Sequence, residues 1–189
     1  LLIREGTELT ISQDVYLIVK GAIKILGTKL SPVILESSSS TKGWAGLYVL
    51  GDTDSSSEIK NAFIKNTTGI TDGVLSLTGG INFYKGKVLI ENLFLEGSEA
   101  EDALNIVEAE VDINGLHITN TYSDGLDCDY CMGKIRNSNF HTIGGDGLDF
   151  SGSDLKLTNI NFQKIGDKGF SIGEASSVTI RKSEMHSFT

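Results

Sequence analysis

Proline occurs once in the 189 residues, at Pro32. No Pro-rich linker divides the chain, so one domain spanning 1–189 is expected. Cysteine occurs twice, as Cys128-Asp-Tyr-Cys131. Two cysteines alone are too few for a structural zinc site. A redox Cys-x-x-Cys also wants a strand-to-helix context, which the surrounding pattern lacks. A buried core thiol is the preferred reading of Cys128, with a local disulfide or a metal site as alternatives. Basic residues are scarce: 16 Lys and Arg stand against 25 Asp and Glu, for a net charge of -9. Nucleic acid is excluded as a natural partner, because binding it needs clustered cations. A polyanionic glycan is repelled unless a local basic groove or a bridging cation intervenes. No apolar run approaches the roughly 18 residues that suggest a membrane span. The N-terminus lacks the basic flank and apolar stretch of a secretion signal. It reads as a strand already under way, and Ser187-Phe188-Thr189 stops in mid-pattern, so a fragment of a longer protein is expected.

What is present is glycine, at 22 residues, and a repeat. Asp102-Ala-Leu-Asn-Ile106, Asp124-Gly-Leu-Asp-Cys128 and Asp146-Gly-Leu-Asp-Phe150 open 22 residues apart. Lys168-Gly-Phe-Ser-Ile172 continues the phrase with the acid replaced. A repeat of this length is a structural unit stacked on copies of itself. Its apolar residues alternate in short bursts with the period of a strand, and no window sustains a helical period. Each strand is expected to pair in parallel with its copy one turn on, roughly 4.7–4.9 Å away. Leu104, Leu126, Leu148 and Phe170 then form one inward column, and Cys128 joins Ile106, Phe150 and Ile172 in another. Asn92, Gly115, Asn137 and Asn159 recur at a corner. Asn and Gly share a tolerance of the left-handed backbone region, and stacked amides can hydrogen-bond along the column. Asn61 begins that column, which is expected to fail near Arg181-Lys182. Turns in 1–87 are irregular and those in 88–189 regular. Residues 31–43, which include the Ser-rich stretch 36–41, and residues 51–57 and 79–86 are expected to project as loops. Length over period implies an all-β, single-stranded parallel β-helix (a solenoid) of about eight turns.

The phrase Ile-x-Asn-x-x-Phe, a spacer, then Asp-Gly-Leu-x-Phe resembles the repeat of right-handed parallel β-helix proteins with the pectin-lyase-like fold. Arg136-Asn137-Ser-Asn-Phe140 leading to Asp146-Gly-Leu-Asp-Phe150 is the clearest copy. Residues 88–180 carry the likeness. Val19-Lys-Gly-Ala-Ile-Lys-Ile-Leu-Gly-Thr28, Pro32-Val-Ile-Leu35 and Trp44-Ala-Gly-Leu47 are similar to a looser pattern of secreted and cell-surface bacterial β-helix proteins. That resemblance implies the fold and an extracellular or cell-surface location. It does not imply one activity, since the fold hosts lyases, hydrolases, epimerases, tailspikes and non-catalytic modules.

The register gathers acids. Asn105, Asp127, Asp149 and Ser171 form an outward column, and Asp102, Asp124 and Asp146 form another at the turn entering the same strand. Like carboxylates roughly 5 Å apart raise one pKa or recruit a cation. Asp124, Asp127, Asp146 and Asp149 are therefore catalytic candidates, as a glycosidase acid and carboxylate pair. Ser123-Asp124-Gly-Leu is faintly similar to the Asn-Thr-Asp-Gly of polygalacturonases, but no Gly-His-Gly, Arg-Ile-Lys or Asp-Asp accompanies it. Asp127, Asp149 and Asp129 are candidate Ca²⁺ ligands, because Ca²⁺ takes 6–8 oxygens in irregular sites. A third reading makes Asp124 and Asp146 turn residues, each capping its own turn; it explains the strand acids Asp127 and Asp149 less well. The acidic loop from Asp52 to Glu58 reads as a solvated turn. His117 and His141 read as surface residues, with His117 over Asn139 and Asn161. Trp44, Phe83 and Tyr84 offer a sugar-stacking platform or, more simply, packing. Lys134, Arg136, Lys156 and Lys164 lie on other faces than the acids, without the continuous basic groove of a pectate lyase.

The expected function is a secreted or cell-surface bacterial module that binds carbohydrate or serves as a scaffold. The alternative is a polysaccharide-active enzyme, glycoside hydrolase or lyase, working from the Asp patch. Expected partners are a polysaccharide or flanking domains of the same protein, with self-association through the open coil ends and no membrane insertion.

Overall fold

A computed structural model describes residues 1–39, 41–71 and 76–188. Ser40, within the Ser-rich stretch, and Thr189 lie outside the described residues. Among the described residues there are eighteen strands and no helix. Sixteen strands form one continuous sheet, and all its pairings are parallel; the exception among the described residues is the short antiparallel pair Ile70–Thr71 and Ser76–Leu77. The chain is a β-solenoid of about eight coils with three faces.

One column defines each face. On the first face Ile3, Ile25, Ile59, Ile90, Ile113, Ile135, Leu157 and Ile180 stand in register, one per coil. On the second face Leu9, Leu35, Ile64, Leu95, Ile118, Phe140, Phe162 and Met185 do the same. On the third face Leu17, Leu47, Ile81, Leu104, Leu126, Leu148 and Phe170 form the column that the repeat predicts. The three columns meet in one core. Each fully buried member contributes roughly 1.5–3 kcal/mol. Cys128 is fully buried between Ile106 and Phe150, as its register requires, and Cys131 is buried too. Both thiols are free.

The faces join at corners that bend on single left-handed residues. The strand Asp102–Thr121 passes through all three faces, and its bends fall at Glu108 (φ 53°) and Gly115 (φ 80°). The asparagine corner is as expected: Asn61, Asn92, Asn137 and Asn159 have φ between 43° and 58°. Asn92 donates through Nδ2 to Asn61 Oδ1 (3.2 Å) and Asn159 to Asn137 Oδ1 (2.8 Å). Gly115 interrupts the amide ladder, and Asn137 donates to Asn114 Oδ1 instead (2.8 Å). A Cβ at 115 would lie 2.8 Å from Asn92 Oδ1, which explains the glycine. The asparagine column ends at residue 182 as expected, but the corner itself continues. Lys182 keeps the left-handed backbone (φ 54°), and only the amide is lost.

Two more left-handed columns mark the other corners. Asn66, Gly97, Asn120, Thr142 and Lys164 form one; Lys85, Glu108, Tyr130 and Gly152 form the other. Thr142 is β-branched, and the left-handed region is costly for such a residue. Thr142→Asn is expected to stabilise the fold by about 1 kcal/mol, read as a Tm rise of roughly 2–4 °C. An unchanged or lower Tm would show that Thr142 Oγ1, 2.9 Å from His141 Nδ1, offsets the strain.

The irregular N-terminal coils need corrections. Residues 33–37 form a strand, Val33–Ser37, rather than part of a loop, and residues 79–86 belong to the strand Gly79–Glu96. The glycines at 79 and 80 were misleading as turn signals. They serve close approach: a Cβ on Gly80 would lie 2.1 Å from Thr67 Oγ1. Of 51–57 only the first five residues are loop, since a strand begins at Ser56. There Asp52 Oδ1 accepts from the Asp54 N–H and Ser55 Oγ, a turn as expected.

Candidate functional site

The third face carries the acids outward. Its outward column is Ile18, Tyr48, Asn82, Asn105, Asp127, Asp149 and Ser171. It changes from apolar to amide to carboxylate, because alternate residues of each strand must point away from the core once their neighbours fill it; Tyr48, Asn82 and Asn105 are nevertheless covered, whereas Asp127 and Asp149 are half-buried. Asp102 pairs with Asp124 at the entry to the same strands, and Asp146 follows one coil on.

The turn acids are tied to the backbone. Asp124 Oδ1 accepts the Asp146 N–H at 2.8 Å, and Asp146 Oδ1 accepts the Lys168 N–H at 2.8 Å. Each caps the turn one coil ahead rather than its own. Lys168, which replaces the acid in the next repeat, ends the ladder: its ammonium lies 3.2 Å from Asp146 Oδ1 and also meets Asp167. Asp124 and Asp146 thus have a structural role.

The strand acids have no such caps. Burial, then the charges of Asp102, Asp129, Asp149 and Asp124, push the Asp127 carboxyl up to about 8. Asp127 therefore holds a proton at neutral pH. Asp102, buried at the strand entry, is pushed up to about 6, chiefly by burial. Burial also raises Asp124 and Asp129, with Asp149 adding repulsion in both. The Tyr84 hydroxyl is raised by burial and by Asp102 and Asp127. Asn105 is buried beside them, donating to Thr78 Oγ1 and to Asp102 Oδ2 (3.4 Å), while its Oδ1 has no partner.

The cation reading gains a different trio. Among the described residues, Asp124, Asp146 and Asp149 each offer a carboxylate oxygen within 4.8 Å of the others. Asp127 and Asp129 lie outside that group. A divalent cation there competes with the Lys168 ammonium for Asp146.

Other candidates separate clearly. Trp44 and Phe83 are fully buried, so they pack, and Trp44 Nε1–H donates to Lys65 O at 2.8 Å. His117 is half-buried, stacked on Phe94 with ring centroids 4.4 Å apart and joined to Asn139 through Nδ1 (3.0 Å). Two exposed aromatics escaped the sequence reading. Tyr122 (79% exposed) and Tyr130 (66%) bracket the strand Asp124–Asp129. Tyr130 lies over Gly152 of the next coil, where a Cβ would come within 2.6 Å of its ring. The signal was available, since these tyrosines flank the most acidic phrase. Asp124, Asp127, Asp129 and Asp149 are half-buried on this face. Such a face can accept hydrogen bonds from hydroxyl pairs and, through neutral Asp127, donate one. Compared with known proteins, the chain matches no family model, no curated protein and no solved structure.

Proposed function

We propose that this chain is a secreted or cell-surface β-solenoid module that binds a polysaccharide across its third face and acts as a scaffold for flanking domains. The observation that carries this reading is the acidic strand bracketed by exposed Tyr122 and Tyr130. Carboxylates recognise vicinal sugar hydroxyls, and an exposed ring supplies apolar area at low entropic cost. The strand between the tyrosines has six residues and runs roughly 17 Å at about 3.3 Å per residue, enough for a few sugar rings. The extracellular placement rests on the resemblance of the repeat to secreted β-helix proteins.

The test is calorimetric titration with a panel of neutral polysaccharides. Tyr130→Ala is expected to weaken binding about tenfold, the loss of roughly 1.4 kcal/mol of ring contact. Asp127→Asn leaves binding nearly unchanged, because the native carboxyl is already neutral. Binding indifferent to both tyrosines, or no binding across the panel, counts against the reading. A second reading has one specific support: protonated Asp127 sits in register with Asp149 on the next coil, the arrangement of a general acid beside a second carboxylate. Release of reducing or unsaturated ends from any panel member, lost in Asp149→Asn, would establish the enzyme instead.

A further inference from the structure

The chain has an excess of acid, yet its first face concentrates cations in the last three coils. Lys134 stands directly against Lys156, which stands against Thr179; Arg136 stands against Thr158, which stands against Arg181. These six side chains form a lattice of three coils by two outward columns. Like charges directly opposite in a ladder are destabilising, so the arrangement breaks a rule of sheet stability. Asp112 offsets half of it, bonding Lys134 Nζ at 3.0 Å and Arg136 Nη2 at 2.5 Å. Among the described residues neither Lys156 nor Arg181 takes part in an ion pair or a side-chain hydrogen bond. Asp154, two residues before Lys156, is the nearest acid along that strand. A cavity of about 330 Å³ lies between these cations, lined by Lys156, Leu157, Thr158, Thr179 and Arg181.

We infer that this cavity is a binding site for a tetrahedral oxyanion, a sulfate or phosphate group carried on a larger ligand. The lining matches that chemistry. Lys156 supplies a compact charge, Arg181 a planar fork, and the threonines two hydroxyl donors, so donors reach the cavity from two strands and both columns. A tetrahedral anion presents oxygens in several directions at once, whereas one carboxylate is satisfied by the Arg fork alone. The flat parallel register sets the donors one coil apart, roughly 4.7–4.9 Å. An anion here offsets the repulsion that Asp112 does not reach. The site lies on a different face from the acids, and the inference does not depend on the reading given for them.

The experiment titrates the full chain at low ionic strength with inorganic sulfate, inorganic phosphate, dextran sulfate, polyphosphate, polygalacturonate and neutral dextran. Sulfate or phosphate is expected to bind, and Lys156→Gln and Arg181→Gln each to weaken it at least tenfold, the size of one charge-assisted hydrogen bond. Lys24→Gln, on the same face near the other end, is expected to bind as the unaltered protein does, and melting curves confirm that all three variants fold. Tighter binding of dextran sulfate or of polyphosphate identifies the source of the anion, and either supports the site. Three results would overturn it: no binding of either inorganic anion, equal weakening by Lys24→Gln, or polygalacturonate binding as tightly as the sulfated polymer. Binding of neutral dextran bears only on the third face and leaves this conclusion untouched.

Discussion

At about pH 9 the Asp127→Asn variant is expected to be more stable than the unaltered protein by on the order of 2–4 kcal/mol, and at about pH 4 the two are expected to match. The sign follows from proton binding. An unfolded Asp titrates near about 3.9, whereas folded Asp127 titrates at about 8. Between those values the folded state holds a proton that the unfolded state has released. The stability that Asp127 contributes is therefore complete below the unfolded value and is lost as pH rises through the folded one. The full shift would imply a larger number, but partial solvent exposure screens the charges. Asp102, pushed up to about 6, adds a smaller loss in the same direction at lower pH. Urea unfolding at a series of pH values measures both. A wild-type stability flat across this range, or a variant no more stable at the alkaline end, would show that the acids are not crowded as described.

Gly133→Ala is expected to cost about 3–5 kcal/mol, from overpacking and backbone strain together. Gly133 has φ 138°, and a Cβ there would lie 2.0 Å from the Val111 carbonyl oxygen of the preceding coil. That oxygen belongs to the parallel ladder and cannot move without spreading two coils. Gly21 is the control. It too has positive φ (95°), but its Cβ would meet nothing within 4 Å. Gly21→Ala is expected to cost only the backbone term, about 1 kcal/mol. Equal losses at the two sites in denaturant melts would mean that the coils separate easily at Gly133.

The residues differ in how far they could be read without coordinates. The regular coils were legible because nothing interrupts them: Leu104, Leu126 and Leu148 fall at one spacing and align as expected. The earlier coils were not. Ile25 and Ile59 are register partners 34 residues apart, and Ile59 and Ile90 are 31 apart, because extra residues, among them the antiparallel pair Ile70–Thr71 and Ser76–Leu77, lengthen those turns. The asparagine corner was visible because one residue type recurs there. The other two corners hide behind Glu108, Tyr130, Thr142 and Lys164, whose side chains say nothing about φ. At the site, the columns that hold Asp127 and Asp149 were legible. The bond from each turn acid to the next coil was not, since it depends on side-chain direction.

The sequence by itself determined the coil. A constant spacing of alternating apolar residues leaves one arrangement in which all are buried, and that arrangement stacks Cys128 on Ile106 and Asp127 on Asn105. Only the tertiary structure decided what those stacks mean. Burial drives Asp127 to hold its proton, the coil ahead claims the oxygens of Asp124 and Asp146, and two neighbouring coils bring Lys156 and Arg181 to one cavity. Register is a one-dimensional property that spacing can specify. Charge state, side-chain direction and the meeting of residues about 25 apart are three-dimensional, because each depends on everything packed around it.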